Sequence, residues 1–314
     1  MAHKYLISVV GPTAIGKTGL AISLAKHYKT EIVSADSRQF FKEMQIGTAV
    51  PNKGELVTVP HHFIQHKSIF ESYSVGDFEK DAIALLSNLF KKHDCVIMVG
   101  GSGLYVDAVT KGLDEFPDVA PGIREDLNEI LKEKGIVELQ KQLKILDNTQ
   151  YAKIDIENPH RLIRALEICI GSGLPYSSFL NKKKIKRQFI TITIGLEADR
   201  QVIYDRINQR VDIMIKEGLL KEARTMYPHK ALNALQTVGY KELFNYFDSE
   251  WDLPDRQAGL DFAISEIKKN TRRFAKRQLT WYRKNENIIW FDYDEDKTNI
   301  FKTIDKEISA LQDG

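Results

Sequence analysis

The feature that most constrains the fold is an eight-residue segment near the N-terminus that fits the pattern G-x-x-x-x-G-K-[ST]. The apolar, β-branched run before it, residues 5–10, predicts a buried strand, and apolar residues at helical spacing after it predict a helix. In this context the turn forms a phosphate-binding loop, because its backbone N–H groups and the positive end of the helix both point at an anion. We therefore predict that the loop holds phosphate groups. The predicted phosphate-binding residues are Gly11, Pro12, Thr13, Ala14, Ile15, Gly16, Lys17 and Thr18.

Composition places few limits on the function. The chain has 314 residues, 43% hydrophobic and 28% charged, which is ordinary for a soluble protein of about two domains. No apolar run approaches the ~18 residues that span a bilayer, and no signal peptide is evident, so we expect a cytoplasmic protein without membrane contact. His61, His62 and His66 lie close together but have no carboxylate or cysteine at ligand spacing, which disfavours a zinc site.

Two further predicted strands end in residues that can carry chemistry. Asp36 follows the strand 31–34, and Ser102 lies in a glycine-rich turn after the strand 95–99. Because ligands bind beyond the carboxyl ends of parallel strands, we expect both side chains beside the phosphate loop. Asp36 could accept a proton or hold a metal-bound water, or it could simply cap the next helix. Ser102 could face the cleft or belong only to a tight turn.

The alternation of strands and helices predicts an α/β fold with a P-loop NTPase-like core, in which helices flank a mostly parallel sheet. From Phe116 the pattern changes to charged helices, and no strand signal returns until about residue 189. We predict a helical insertion at 117–187, with the core formed by 1–116 and 188–314. The stretch 40–66 is predicted to be irregular.

Several basic residues can meet phosphates. Arg161 and Arg164 lie one turn apart on a predicted helix, and Arg210 lies on the helix that follows the strand 189–196. The last long helix, 259–283, is predicted to bury Leu260, Ile264, Ile267, Phe274 and Trp281. Between residues 268 and 284 the chain has eight Lys or Arg and no Asp or Glu, which is typical of nucleic-acid binding. We therefore predict nucleic-acid contacts for Arg272 and Lys276, although a solvated face would look similar.

Three functions fit these residues. A kinase would move a phosphoryl group to a small acceptor, a second enzyme would release diphosphate while modifying a nucleic acid, and an ATP-binding switch would bind nucleic acid without chemistry. Strand 95–99 ends in Gly100-Gly101 rather than in the aspartate that positions Mg²⁺ in many ATPases, which disfavours the ATP-dependent functions. The basic helix disfavours a small acceptor.

Eight motifs follow one another along nearly the whole chain: Gly-Pro-Thr-Ala-x-Gly-Lys-Thr (11–18), Asp-Ser-Arg-Gln (36–39), Ile-Gly-Thr-Ala (46–49), Pro-His-His-Phe (60–63), Gly-Gly-Ser-Gly-Leu-Tyr (100–105), Arg-Leu-Ile-Arg-Ala-Leu-Glu (161–167), Val-Gly-Tyr-Lys-Glu (238–242) and Ala-Lys-Arg-Gln-Leu-Thr-Trp-Tyr-Arg (275–283). In this order the sequence resembles the bacterial tRNA dimethylallyltransferases, also called tRNA isopentenyltransferases. The resemblance implies transfer of a dimethylallyl group from dimethylallyl diphosphate to N6 of adenosine 37, beside the anticodon of tRNA.

The resemblance also implies roles for residues. Asp36 matches the general base, Arg210 and Lys17 match residues that hold the leaving diphosphate, and Thr18 matches the ligand of a Mg²⁺ cofactor. The positions matching tRNA contacts are Asp36, Ser37, Arg38, Gln39, Ser102, Arg124, His160, Arg161, Leu162, Ile163 and Arg164. Ser102 stands where the family often has threonine. The helical insertion would clasp the anticodon stem of the tRNA, and we expect a monomer. Prenylation of free adenine nucleotides is the main rival, and it would need neither the insertion nor the basic helix.

Overall fold

The computed structural model describes residues 3–180, 186–249 and 255–313. It divides into two compact units, one formed by residues 1–110 and 187–314 and the other by Lys111–Lys186. The first is called the core unit below and the second the helical unit. The sequence analysis sets the insertion at 117–187.

The first half of the core unit contains four strands and four helices among its described residues. In chain order they are β1 (Tyr5–Val10), α1 (Lys17–His27), β2 (Ile32–Ser34), α2 (Lys53–Thr58), β3 (His61–His62), α3 (Val75–Leu89), β4 (Cys95–Val99) and α4 (Gly103–Lys111). The helical unit follows with α5 (Ile123–Lys134), α6 (Ile136–Leu146), α7 (Asn148–Tyr151), α8 (Pro159–Ser172) and a 3-10 turn (Tyr176–Phe179). The chain then adds β5 (Ile190–Glu197), α9 (Arg200–Glu217), α10 (Leu219–Met226), two 3-10 turns (Tyr227–His229 and Asn233–Leu235), α11 (Tyr240–Ser249), α12 (Arg256–Tyr282), β6 (Ile289–Asp292) and α13 (Lys297–Asp313).

Within the described residues, six parallel strands form one sheet in the order β3-β2-β4-β1-β5-β6. The central strand β1 pairs with β4 and β5, so that Tyr5 lies opposite both Cys95 and Ile190. All carboxyl ends therefore meet at one edge, and the predicted parallel sheet flanked by helices is confirmed. None of the helices in the described part of the chain is long and apolar enough to cross a membrane.

Strand β1 is buried along its whole length because helices cover both faces of the sheet. Its alternate side chains enter different hydrophobic clusters: Leu6 and Val10 pack on one face, whereas Tyr5, Ile7 and Val9 pack on the other. The apolar sequence before the phosphate loop thus fixes that loop at the carboxyl end of a fully buried strand.

Two local predictions differ from the structure. The stretch predicted to be irregular contains α2 and β3, and α2 begins with a capping box in which Asn52 and Glu55 exchange side-chain and backbone hydrogen bonds of 3.0 and 2.8 Å. The predicted buried stripe of α12 is wrong at Phe274 and Trp281, which are 37% and 38% exposed. The helix instead buries a face that includes the small residues Ala263 and Ala275, and small residues let a helix approach its neighbours closely. The buried residues of α12 are Ala263, Ile267, Ala275, Gln278 and Tyr282.

The helical unit has its own apolar core. Leu127 of α5, Leu139 and Leu143 of α6 and the inner face of α8 form one cluster. In the sequence, Asn158-Pro159 predicts a capped helix start, and Gly171 predicts the end of that helix. The Asn158 side chain does cap α8, by accepting from the amide of Arg161, but the helix continues to Ser172 with Gly173 as its C-cap. Because the inner face of α8 packs in this cluster, the opposite face of the helix is exposed.

The chain returns to the core unit at Arg187. Its guanidinium forms an ion pair with Glu79 of α3 and donates to the carbonyl of Ala108 in α4, both at 2.5 Å. Arg187 is the last residue of a basic run in the sequence, residues 182–187. Of that run, Lys182, Lys183, Lys184 and Ile185 lie outside the described residues. The points where the chain leaves and re-enters the core unit are therefore close together.

Candidate functional site

The phosphate loop connects β1 to α1 at the carboxyl edge of the sheet. Gly11 has φ 141°, and a Cβ there would lie 2.6 Å from the carbonyl oxygen of Leu196 in β5, so only glycine fits. Ala14 has φ 66°, and its carbonyl accepts a hydrogen bond of 2.8 Å from Nε of Arg206 on α9. The loop is thus held from outside in a conformation that L-residues rarely adopt.

Lys17 is the first residue of α1, and its Nζ donates to the carbonyl of Pro12 at 2.7 Å. Burial lowers the pKa of Lys17 to about 8, although the nearby Asp36 carboxylate raises it, and Arg210 lowers it further. An anion in the loop would oppose the effect of burial and favour the charged ammonium. Lys17 and the next residue, Thr18, line one cavity, which is described below.

Asp36 lies just beyond β2, where its Oδ1 accepts the amide of Arg38 at 3.2 Å. Burial raises the pKa of the Asp36 carboxyl, and the Arg38 amide, Lys17 and Arg210 oppose that rise. The alternative that Asp36 caps a helix is wrong, because residues 36–39 form a turn closed by the Gln39 amide. A carboxyl group whose pKa is raised is a stronger base when ionised.

Arg210 projects from α9 into the same place. Its guanidinium is 3.4 Å from the Thr13 hydroxyl, and burial, together with the nearby Arg206, lowers its pKa. Lys17, Asp36 and Arg210 therefore interact electrostatically with one another.

The predicted residues around Asp36 are held by neighbouring elements. The Ser102 hydroxyl lies 3.1 Å from both the amide and the hydroxyl of Ser37, which joins the ends of β2 and β4. The Arg38 guanidinium donates to the carbonyl of Ala234 at 3.1 Å. The side-chain amide of Gln39 donates from Nε2 to the carbonyls of Thr48 and Ala49 at 3.3 and 3.0 Å. The side chains of these residues thus fix the walls of the cleft.

Two cavities meet at these residues. A cavity of about 730 Å³ is lined by the phosphate loop and by residues 45–52. A second cavity, of about 1040 Å³, is lined by Ser102 and by aromatic side chains of α12. Both are lined by Asp36 and Arg210. The residues common to both are Thr13, Asp36, Thr48, Ala49, Arg210, Met214, Phe274 and Gln278.

Gln278 is a site residue to which the sequence analysis assigned no role. It is buried in α12, where its Oε1 accepts the Thr13 amide and its Nε2 donates to the carbonyl of Gly101, both at 2.8 Å. It thus connects the phosphate loop to the turn that carries Ser102. The one available signal was a polar residue at a buried helical position, within a motif already noted.

The aromatic lining of the larger cavity was also missed. Phe262, Phe274 and Trp281 of α12 all line this cavity and are exposed at 68%, 37% and 38%. Flat apolar side chains at a cavity wall can stack on a planar ring.

Some of the basic side chains of α12 already contact other residues of the protein. The Arg272 guanidinium donates to the Asn208 side chain at 2.7 Å and lies over the Tyr204 ring, and Lys268 pairs with Asp212 at 2.6 Å. Lys276 is exposed. Of the two residues predicted to contact nucleic acid, Lys276 is the more accessible.

The remaining predicted residues lie in the helical unit. Arg124 holds Glu167 with bonds of 2.9 and 2.7 Å, and Arg164 holds the same carboxylate at 2.8 Å. His160 and Arg161 are exposed, whereas the side chains of Leu162 and Ile163 are buried in the core of this unit. In this structure Leu162 and Ile163 therefore pack internally and do not offer their side chains to a partner.

A magnesium ion would need few protein ligands here. No group of three or more His, Cys, Asp or Glu residues that could hold a metal occurs in the described ranges. Mg²⁺ is commonly held by one or two protein oxygens together with substrate phosphates. The Thr18 hydroxyl, in the cavity of the phosphate loop, fits that arrangement.

Comparison with known proteins agrees with this geometry. The family model described as IPP transferase matches residues 39–285. The tRNA dimethylallyltransferases of Christiangramia forsetii and Flavobacterium johnsoniae are 63% and 60% identical to this chain; each alignment covers 98% of this chain and 99% of the relative.

Solved structures support the same relationship. The full-length tRNA isopentenylpyrophosphate transferase of Bacillus halodurans superposes with a TM-score of 0.71 at 36% identity, covering 99% of this chain and 100% of that one. Such proteins have a P-loop NTPase-like fold, which confirms the predicted fold class. The chain therefore belongs to the IPP transferase family and is a prenyltransferase.

Proposed function

We propose that this enzyme transfers a dimethylallyl group from dimethylallyl diphosphate to N6 of adenosine 37 in tRNA and releases diphosphate. The observation that carries the proposal is the position of Asp36 and Arg210 on the walls of both cavities. One cavity has a phosphate loop for the donor, and the other has an aromatic wall suited to a nucleobase. The names of the relatives supply the tRNA acceptor.

The donor side of the reaction develops charge that this chain can stabilise. As the bond between the allylic carbon and the diphosphate oxygen breaks, negative charge grows on the leaving group. The Lys17 ammonium, the Arg210 guanidinium and the loop amides surround the place where that charge would appear. Mg²⁺ held at Thr18 would supply a further positive charge to the diphosphate when it is bound.

The acceptor side requires a base. The N6 amine of adenine is weakly nucleophilic, and it must lose a proton as the new C–N bond forms. The Asp36 carboxylate accepts that proton, and its raised pKa suits it to the task. The adenine must leave its stack to reach a base inside a cavity, so base flipping is part of the proposal. Phe274 and Trp281 are placed to stack on extruded bases.

Each unit has residues that can contact tRNA. Lys276 on α12 and the exposed His160 and Arg161 on α8 offer groups that can meet phosphates. Glu167 holds Arg124 and Arg164 side by side, which would present two guanidinium groups to RNA. The helical unit is thereby assigned to the anticodon stem-loop.

One assay tests the reaction. Purified protein with Mg²⁺ and labelled dimethylallyl diphosphate is offered either tRNA or AMP, and we expect label only in tRNA. Equal labelling of AMP would refute the tRNA acceptor, and absence of labelling with both would refute the donor.

The Asp36→Asn variant tests the base, because asparagine keeps the shape and can still accept the Arg38 amide. We expect kcat to fall by roughly 10²–10⁴ while tRNA binding is retained. Asp205→Asn, at an exposed aspartate of α9, serves as the control. Wild-type turnover in Asp36→Asn would remove this residue from the mechanism.

A further inference from the structure

The loop of residues 44–51, which follows the Asp36 turn, is held by one carboxylate of α10. Glu222 Oε2 accepts the amides of Gln45 and Ile46 at 3.2 and 2.8 Å, and Oε1 accepts the amide of Gly47 at 2.9 Å. The Tyr240 hydroxyl donates to Oε1 at 2.6 Å. Three consecutive amides and a phenol therefore share one ionised acceptor, and charge-assisted bonds of this kind are the strong ones.

The same loop is fixed from two other directions. A Cβ on Gly47 would lie 2.6 Å from the Tyr240 ring, so the loop backbone rests directly on that ring. Gln39 donates to the carbonyls of Thr48 and Ala49, and Ala49 has φ 51°. A loop that is not in a helix or strand is thus anchored at its amides, its carbonyls and its packing surface.

The anchored loop forms a wall of the smaller cavity. Ile46 and Val50 from the loop and Ile213 and Met214 from α9 line that cavity together with the phosphate loop. The cavity also has polar walls, but these four apolar side chains lie together near the phosphate loop and suit contact with a short hydrocarbon attached to a diphosphate. The apolar contacts depend on where Ile46 lies, and the Ile46 backbone is bound by Glu222.

We propose that Glu222 is a positioning residue that sets the affinity for the prenyl group of the donor by holding the 44–51 loop against the phosphate-loop cavity. This proposal rests on the proposed function and deepens it. Glu222 also lines this cavity, and it holds the backbone amides of Gln45, Ile46 and Gly47. The diphosphate is proposed to meet other groups, namely the phosphate loop, Lys17 and Arg210.

The test uses Glu222→Gln in the full-length chain. Glutamine has the same shape, but its NH₂ group would face amide or hydroxyl donors in place of an acceptor. We expect the KM for dimethylallyl diphosphate to rise on the order of tenfold. The inhibition constant of inorganic diphosphate, which has no prenyl group, should stay within about twofold of wild type. Glu286→Gln, at an exposed glutamate, is the matched control.

A second variant addresses the same contact without changing the carboxylate. Gly47→Ala places a methyl group against the Tyr240 ring and displaces the loop, so it should also raise the KM for the prenyl donor while sparing diphosphate. Gly76→Ala, at an exposed glycine with no atom closer than 3.7 Å to the added carbon, is its control.

The outcomes separate this proposal from the function on which it rests. If the wild-type enzyme does not use dimethylallyl diphosphate, the proposed function fails first. If it does, then an unchanged KM for the donor in either folded variant overturns the role of Glu222. Equal weakening of the prenyl donor and of inorganic diphosphate also overturns it, because the loop would then act on the phosphate site.

Discussion

Replacing Gln278 tests whether the two sides of the site are held together by one buried amide. In Gln278→Leu, the carbonyl of buried Gly101 loses its donor, and the Thr13 amide loses its acceptor. A buried polar group left unpaired costs roughly 1–3 kcal/mol. Because the Thr13 amide lies beside a cavity and can be rehydrated, only the Gly101 carbonyl stays unpaired, and we expect the free energy of unfolding to fall by about 1–3 kcal/mol.

The assay is urea denaturation, combined with the KM for dimethylallyl diphosphate, since Thr13 belongs to the phosphate loop. Gln278→Glu should also destabilise the protein, because its buried carboxylate still accepts from Thr13 but would face the carbonyl oxygen of Gly101 without a proton to donate. Gln257→Leu, at an exposed glutamine of the same helix, should change stability by less than about 0.5 kcal/mol. The reasoning is refuted if Gln278→Leu is as stable as Gln257→Leu.

Three other predictions follow from the charges of the site and of the helical unit. The kcat/KM for the donor should fall above about pH 8, where Lys17 loses its proton. It should also fall at acid pH, where Asp36 gains a proton, and the pKa of that limb should lie above the ordinary aspartate value. A flat profile between pH 7 and 9 would contradict the role of Lys17. Lys276→Glu should weaken tRNA binding and reduce the slope of log K against log salt by about 1, whereas Lys302→Glu on α13 should leave the slope unchanged. Glu167→Gln should reduce protection of α5 and α8 amides from hydrogen exchange by about 1–2 kcal/mol at pH 7; since the folded-state pKa of this carboxyl is lowered by its arginines, the difference from wild type should vanish as the pH falls through that pKa.

The sequence predicted the structure best where a short segment must meet a single local requirement, such as a glycine conformation or the burial of an apolar strand. The phosphate loop, the parallel strands and the position of Asp36 after β2 follow from glycine geometry and from apolar runs that must be buried on both faces. The capping signals of α8 and the helices 123–134 and 136–146 also followed from local pattern.

The sequence was least informative where long-range packing chooses between faces of a helix. On α12 the largest apolar side chains, Phe274 and Trp281, line a cavity, while small residues and Gln278 are buried. Periodicity cannot distinguish these faces, because a ligand-binding wall and a core are both apolar. The role of Glu222 could not be predicted for a related reason. Its partners are backbone amides about 175 residues away in the chain, and no pattern of side chains in the sequence indicates such bonds.

The contact of Arg187 with Glu79 and Ala108 has an architectural consequence. The core unit is formed by two separate segments of the chain, and this contact joins the start of the second segment to helices of the first. A unit inserted between two chain segments that contact each other in this way can be lengthened, shortened or exchanged during evolution. The strand order is not disturbed, because the sheet does not have to bridge the distance between the two ends of the inserted unit. This kind of attachment would let the helical unit change in sequence and length while the sheet that carries the phosphate loop stays the same.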